Sequence, residues 1–189
     1  MTASMVEVRV HGRGGQGVQV GCQILAGAFF RAGRQVQAFA AYGGERRGAP
    51  VTGFVRADDS PIRLRCDIER PRYALVLDPT MLDGGTLVAD VPSGGTVVLN
   101  SAGTPAVTPP QGVRLIVVDA TGIAGRAGLG PIVSTALLGA FAQATGLVSL
   151  EGLLAAVQEG SPARRGENLE ACAAGYHAAA GATAAPASA

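Results

Sequence analysis

At 189 residues the chain is sized for one domain around one hydrophobic core, and a formal net charge of +1 without a clustered basic stripe argues against nucleic acid as its main partner. Hydrophobic residues make up 48% and charged residues 15%, below the roughly 25% usual for soluble domains, so the polar surface is thin and points to partners that cover it. A well-packed Ala-rich and Gly-rich monomer shaped by codon bias is the alternative, and 15 Arg beside no Lys supports such a bias.

Residues 6–10 predict a first strand, because Val6, Val8 and Val10 alternate with Glu7 and Arg9. The start carries charge and lacks a continuous apolar run, so no secretory signal is expected and the cytoplasm is the expected location. A helix follows, with Val18, Cys22, Leu25, Ala26 and Phe29 spaced for one apolar face and Gly33 closing it. Strands are predicted at 36–40 and 51–56, a short extended piece at 62–66 after Pro61, and a short buried strand at 74–77. The glycine-rich stretch 84–95 leads into a strand at 96–100, and the proline-rich 102–112 reads as a loop before a strand at 115–119.

The last part is helical, at 132–145, 150–159 and about 167–180, punctuated by Gly146 and by Gly160-Ser161-Pro162. The uncharged apolar run 127–150 is diluted by Pro131, Gly139, Gln143 and Gly146, which favours a buried helix over a membrane span. The prediction is an α/β fold, a three-layer Rossmann-like sandwich with a mostly parallel or mixed sheet and a helical C-terminal end. One domain covers 1–181 and a flexible tail 182–189. Cys22, Cys66 and Cys172 are single and far apart, unlike a disulfide framework or a cluster ligand set, and read as small buried hydrophobes. His11 and His177 come without HExxH or paired-carboxylate spacing, so no metal site is expected.

Gly12-Arg13-Gly14-Gly15-Gln16-Gly17 sits between a predicted strand and a predicted helix, where glycines permit a tight turn and let backbone amides face a phosphate. A dinucleotide fold wants an acidic residue at the end of the second strand, which here ends Phe39-Ala40-Ala41-Tyr42, and a phosphate loop of the GxxxxGK[ST] kind needs a lysine. A tight turn without ligand remains open beside a phosphate site. Glu45-Arg46-Arg47, after Tyr42-Gly43-Gly44, puts two fixed positive charges and one negative on a loop between strands. The arginines either clamp a phosphate or carboxylate or join Glu45 in a structural network.

Gly12-Arg13-Gly14-Gly15-Gln16-Gly17-Val18 and Tyr42-Gly43-Gly44-Glu45-Arg46-Arg47-Gly48-Ala49-Pro50-Val51 together resemble the gamma subunit, or gamma domain, of pyruvate and related 2-oxoacid:ferredoxin oxidoreductases. The likeness continues through Asp58-Asp59-Ser60-Pro61-Ile62, Val76-Leu77-Asp78-Pro79-Thr80, Asp119-Ala120-Thr121 and the run from Pro131 to Ala140, reaching about Tyr176. Gly44 stands where the family has a proline, and 82–95 is glycine-rich where the family has a longer helical segment.

The resemblance implies a non-catalytic gamma subunit of a thiamine-diphosphate-dependent complex that oxidatively decarboxylates a 2-oxoacid to an acyl-CoA. Thiamine diphosphate and magnesium would be bound by alpha and beta subunits, and iron–sulfur clusters by a ferredoxin-like delta subunit. The resemblance also leaves room for an NAD-linked electron-transfer subunit. The gamma part would buttress the assembly and help to form the coenzyme A region, with Gly12 to Gly17 and Glu45, Arg46 and Arg47 as its binding residues. Pyruvate, a branched-chain 2-oxoacid and an aryl 2-oxoacid such as phenylglyoxylate all stay open as substrates. The other readings are a stand-alone nucleotide-binding protein and a ligand-free interaction subunit.

Overall fold

The computed structural model describes residues 5–44, 48–82, 86–105 and 107–181. Six strands make one mixed sheet: β1 (Val6–Arg13), β2 (Gln35–Tyr42), β3 (Pro50–Asp58), β4 (Tyr73–Val76), β5 (Thr96–Asn100) and β6 (Arg114–Val118). Their spatial order is β2-β3-β1-β4-β5-β6. β1, β4, β5 and β6 run parallel, whereas β3 pairs antiparallel with both β1 and β2. The helices are α1 (Val18–Arg31), α2 (Thr86–Ala89), α3 (Ala120–Arg126), α4 (Ser134–Thr145), α5 (Leu150–Gly160) and α6 (Arg165–Gly181). This is the α/β sandwich with a mixed sheet and a helical C-terminal end that the sequence predicts. No helix among the described residues is long and apolar enough to cross a membrane.

The period-two pattern of β1 buries Val6, Val8 and Val10 against α1 and the C-terminal helices in one large apolar cluster. The other face of β1 is covered too, by the segment that carries Ile68 and Glu69, and Arg9 and His11 are 8% and 2% exposed. The strand is longer than predicted, because its antiparallel register with β3 carries on to Arg13 opposite Pro50. β5 is buried along its whole length: Val98 joins the large cluster, and Val97 and Leu99 join a smaller one with Ala74, Val76, Val88 and Leu115 on the opposite face.

Residues 62–66, expected as a short extended piece, pair with no strand. The buried Arg56 of β3 holds this segment instead, donating to the Cys66 carbonyl at 2.8 Å and to the Asp67 carbonyl at 3.3 Å. Its Nε also donates to Glu7 Oε1 at 2.8 Å, so the side chain replaces a ladder of backbone bonds. For the same reason Cys66 is exposed rather than a core hydrophobe, while Cys22 and Cys172 are buried and burial pushes both thiols up to about 12.

Two helices were not foreseen. α2 forms inside the glycine-rich stretch, and α3 follows Asp119, whose carboxylate caps it by accepting from the Gly122 amide at 2.8 Å. α4 begins two residues later than predicted and is buried almost all round from Ser134 to Ala142, which accounts for its membrane-like composition. It packs on α6 through glycines with no room to spare. A Cβ added at Gly139 would lie 1.9 Å from the Cys172 carbonyl oxygen, and one at Gly175 would lie 1.9 Å from that of Ala136. The predicted tail, 182–189, lies outside the described residues.

Candidate functional site

At the end of β1 the chain turns into α1 through Gly14, Gly15, Gln16 and Gly17. Gly15 and Gly17 take φ of 100° and 87°, the left-handed region that strains any residue with a Cβ. At Gly17 a Cβ would also come within 2.4 Å of Ser134 Oγ. Gly14 donates its amide to the Ala49 carbonyl at 3.0 Å, tying the turn to the strand entering β3. Gln16 folds back, its Oε1 accepting from the Arg13 amide at 2.8 Å.

Arg13 is anchored sideways. Its Nε donates to Asp78 Oδ2 at 2.9 Å and its second terminal nitrogen to Thr80 Oγ1 at 3.0 Å, joining the glycine turn to the end of β4. Burial alone would raise the Asp78 carboxyl, but the hydrogen bonds from Thr80 and the Arg13 charge outweigh it and hold that group below the usual carboxylate range.

A cavity of about 380 Å³ opens beside this turn. The turn and the first residues of α1 form one wall, Tyr42 and Val51 a second, and Ile132 with the α5–α6 connection a third. α1 starts without a side-chain cap and without an acidic residue in its first turn, so the positive end of a 14-residue helix faces the cavity. Ser161, 2% exposed, lines it with a hydroxyl that has no partner among the described residues. Arg13 and Arg164 line the cavity too, and no carboxylate among the described residues does. Arg164 holds φ at 51°, a strained value for a residue with a side chain. Asn168 fixes that turn: its Nδ2 donates to the Ala163 and Arg164 carbonyls, and its Oδ1 accepts from Thr135 at 3.1 Å.

Of the residues predicted from the sequence, Arg13, Gly14, Gly15 and Gly17 reach the cavity wall. Gly12 stays inside β1, where a Cβ would meet Val18 at 2.7 Å and Leu77 at 3.1 Å, and Gln16 serves the turn itself. Glu45, Arg46 and Arg47 lie outside the described residues. Ser161, Arg164 and Asn168 were not predicted. Their one signal was the Gly160-Ser161-Pro162 punctuation, which marks a connection and says nothing of what it faces.

A second cavity on the opposite face touches Arg9, His11, Thr52, Phe54, Asp67 and Asp90. Its cation is already committed, since Arg9 donates to His11 Nε2, to the Ile68 and Glu69 carbonyls and to Asp90 at 2.7 Å. Among the described residues no group of three His, Cys, Asp or Glu could hold a metal ion.

Fold and cavity together define an α/β domain that presents an uncapped helix end, with glycines at its entry, to a cleft whose described lining holds no carboxylate. Residues 7–178 match the family pyruvate ferredoxin/flavodoxin oxidoreductase. The chain is 45% identical over 175 residues to pyruvate synthase subunit PorC of Methanothermobacter thermautotrophicus, covering 91% of this chain and 94% of that one. It is 46% identical over 159 residues to the common gamma subunit of the pyruvate/ketoisovalerate oxidoreductases of Thermococcus kodakarensis, covering 82% and 86%. The crystal structure of pyruvate oxidoreductase subunit PORC from Thermotoga maritima superposes with a TM-score of 0.79 at 31% identity, over 92% of this chain and 96% of that one. The chain belongs to the pyruvate ferredoxin/flavodoxin oxidoreductase family and is a gamma-type subunit of a multisubunit 2-oxoacid oxidoreductase complex.

Proposed function

We propose that this gamma subunit carries no catalytic residue of its own and shapes the coenzyme A region of a thiamine-diphosphate-dependent 2-oxoacid:acceptor oxidoreductase while buttressing its assembly. In this reading thiamine diphosphate and magnesium sit with alpha and beta subunits, and iron–sulfur clusters with a ferredoxin-like delta subunit. They supply the carbon and electron chemistry there. The observation that carries the reading is the donor set of the cavity: the α1 N-terminus, the Ser161 hydroxyl, unpaired among the described residues, and Arg164, with Arg13 held at the wall by its ion pair with Asp78 and no carboxylate among the described lining residues. Such a set accepts a phosphorylated ligand, because backbone amides and fixed cations complement the anion with little reorganisation. Val18, Val20, Val51, Ile132 and Pro162 supply apolar walls for the rest of such a ligand, and coenzyme A combines both characters.

Arg46 and Arg47 follow Tyr42 by only a few residues and belong to the same proposal as further phosphate partners. Steady-state titration of coenzyme A in the intact complex tests it. Arg164→Ala and Ser161→Ala are expected to raise the half-saturating coenzyme A concentration, by roughly ten-fold for the arginine as a lost charge-assisted bond implies, and to leave the decarboxylation step nearly unchanged. Arg46→Ala and Arg47→Ala are expected to act in the same direction. Fully assembled variants with unaltered coenzyme A dependence would end the reading.

A further inference from the structure

The second cavity, of about 370 Å³, has no part in the coenzyme A reading. It lies over the polar face of β1 and β3, between the segment 67–69 and the end of α2 with Asp90. On its floor His11 is paired with Thr52 in the β1–β3 register, as Arg9 is with Phe54. His11 is almost fully buried, and its Nε2 accepts from Arg9 Nε at 2.9 Å, so the neutral ring carries its proton on Nδ1. That buried donor has no partner among the described residues. A buried N–H without an acceptor is costly, so the floor needs an oxygen from outside.

The walls need a cation. Asp67 and Glu69 are exposed, and the arginines beneath them leave their carboxylates alone: Arg56 donates to the Asp67 carbonyl at 3.3 Å and Arg9 to the Glu69 carbonyl at 3.0 Å. Among the described residues neither carboxylate takes part in an ion pair. Asp90, the third carboxylate, meets Arg9 through Oδ2 alone and is 47% exposed. The cavity therefore holds three carboxylates against one guanidinium, and the exposed Arg63, Arg65 and Arg70 of the covering segment do not line it. Phe54 and Leu87 add apolar surface. Such a lining repels phosphates, and no group of three ligand-type side chains among the described residues is set for a metal ion. It fits a long basic side chain, whose aliphatic stem packs on apolar surface while its head meets carboxylates.

We propose that this cavity is the socket for a basic loop of a neighbouring subunit of the complex: an arginine or lysine of that loop enters among Asp67, Glu69 and Asp90, and a backbone carbonyl beside it accepts from His11 Nδ1. The loop brings both things the cavity lacks, a cation for the walls and an acceptor for the floor. A basic side chain seated in a pocket is a usual anchor of protein interfaces, and opposite charge across the contact sets its partner and its register. The chain thus has two recognition surfaces of opposite sign, one on each face of the sheet: donors at the start of α1 and carboxylates around His11.

Carboxyl labelling with a carbodiimide and an amine, read by peptide mass spectrometry, compares the full chain alone with the intact complex. Asp67 and Glu69 are expected to label readily in the free chain and to be strongly protected in the complex. Asp67→Lys together with Glu69→Lys should weaken association with the other subunits about ten-fold or more, because like charges then meet. The free chain should keep its circular dichroism and melting temperature, since the backbone carbonyls at these positions, not the carboxylates, hold Arg9 and Arg56. Asp67→Asn together with Glu69→Gln should weaken association less and flatten its dependence on salt. Equal labelling in the free chain and the complex would overturn the proposal. So would protection already present in the free chain, since the chain would then fill the cavity itself. Protection on assembly with undiminished association of the lysine variant would overturn it too, because the covering segment would then not be basic.

Discussion

The two faces of the sheet solve burial in opposite ways. The helix-covered face is closed by one apolar cluster in which α4 and α6 touch through Gly139 and Gly175, so it is held by shape. Toward β1, β2 and β3 the other face is held by polar side chains, because Arg9, His11 and Arg56 are buried there and the two arginines spend their donors on Ile68, Glu69, Cys66 and Asp67 of the segment that covers them. The difference teaches that a charged residue in a strand pattern marks the face away from the helices without marking exposure. It also predicts different sensitivities, steric on one side and electrostatic on the other.

The largest expected effect is steric. Gly175→Val should destabilise the chain by about 3 kcal/mol or more, since its Cβ would stand 1.9 Å from a backbone oxygen that only a helix shift can move. Chemical denaturation measures this, and a near-native midpoint would show that α4 and α6 adjust freely.

Next comes pH, acting on the polar face. Burial first, then the Arg9 charge, lower the His11 imidazole to about 4 from 6.5, with Asp90 opposing weakly. His11 Nε2 accepts from Arg9 Nε at 2.9 Å, which leaves the proton on Nδ1 and makes an imidazolium unwelcome. The unfolded chain therefore takes up a proton below about pH 6.5 that the folded chain refuses until about pH 4. Stability present above pH 6.5 is lost as pH falls through that window, by about 3 kcal/mol in all. His11→Gln keeps an acceptor for Arg9 and should flatten that part of the profile. An equally steep acid loss in the variant would assign it to other groups.

The smallest effect separates site from scaffold on the helix-covered face. Ser161→Ala removes a buried hydroxyl without a partner, so thermal stability should change by less than about 1 kcal/mol. A large loss would mean that the hydroxyl serves the fold.

Much of the architecture was legible because its causes are local. The alternation of Val6, Val8 and Val10, the apolar face of α1 and the glycine punctuation of the last three helices each arise within a few residues. Residues 62–66 were legible only as an extended piece, because such a proline-flanked run looks the same whether its hydrogen bonds go to a neighbouring strand or to the guanidinium of Arg56. α3 was missed because its seven residues are too few to show a periodic face, and its strongest signal is the Asp119 cap.

The glycine turn was legible as a turn, since left-handed φ at Gly15 and Gly17 demands glycine locally, and its joint occurrence with the Tyr42 to Val51 run pointed to the family. What the turn faces was decided in three dimensions. Ser161, Arg164 and Asn168 stand well over a hundred residues beyond it, and only the packing of α5 and α6 on α1 and α4 brings them to its mouth. Position along the chain carries backbone preference and periodicity. Which donors converge on one cavity, and which edge of the sheet stays open, depends on pairings between distant segments that no local pattern encodes.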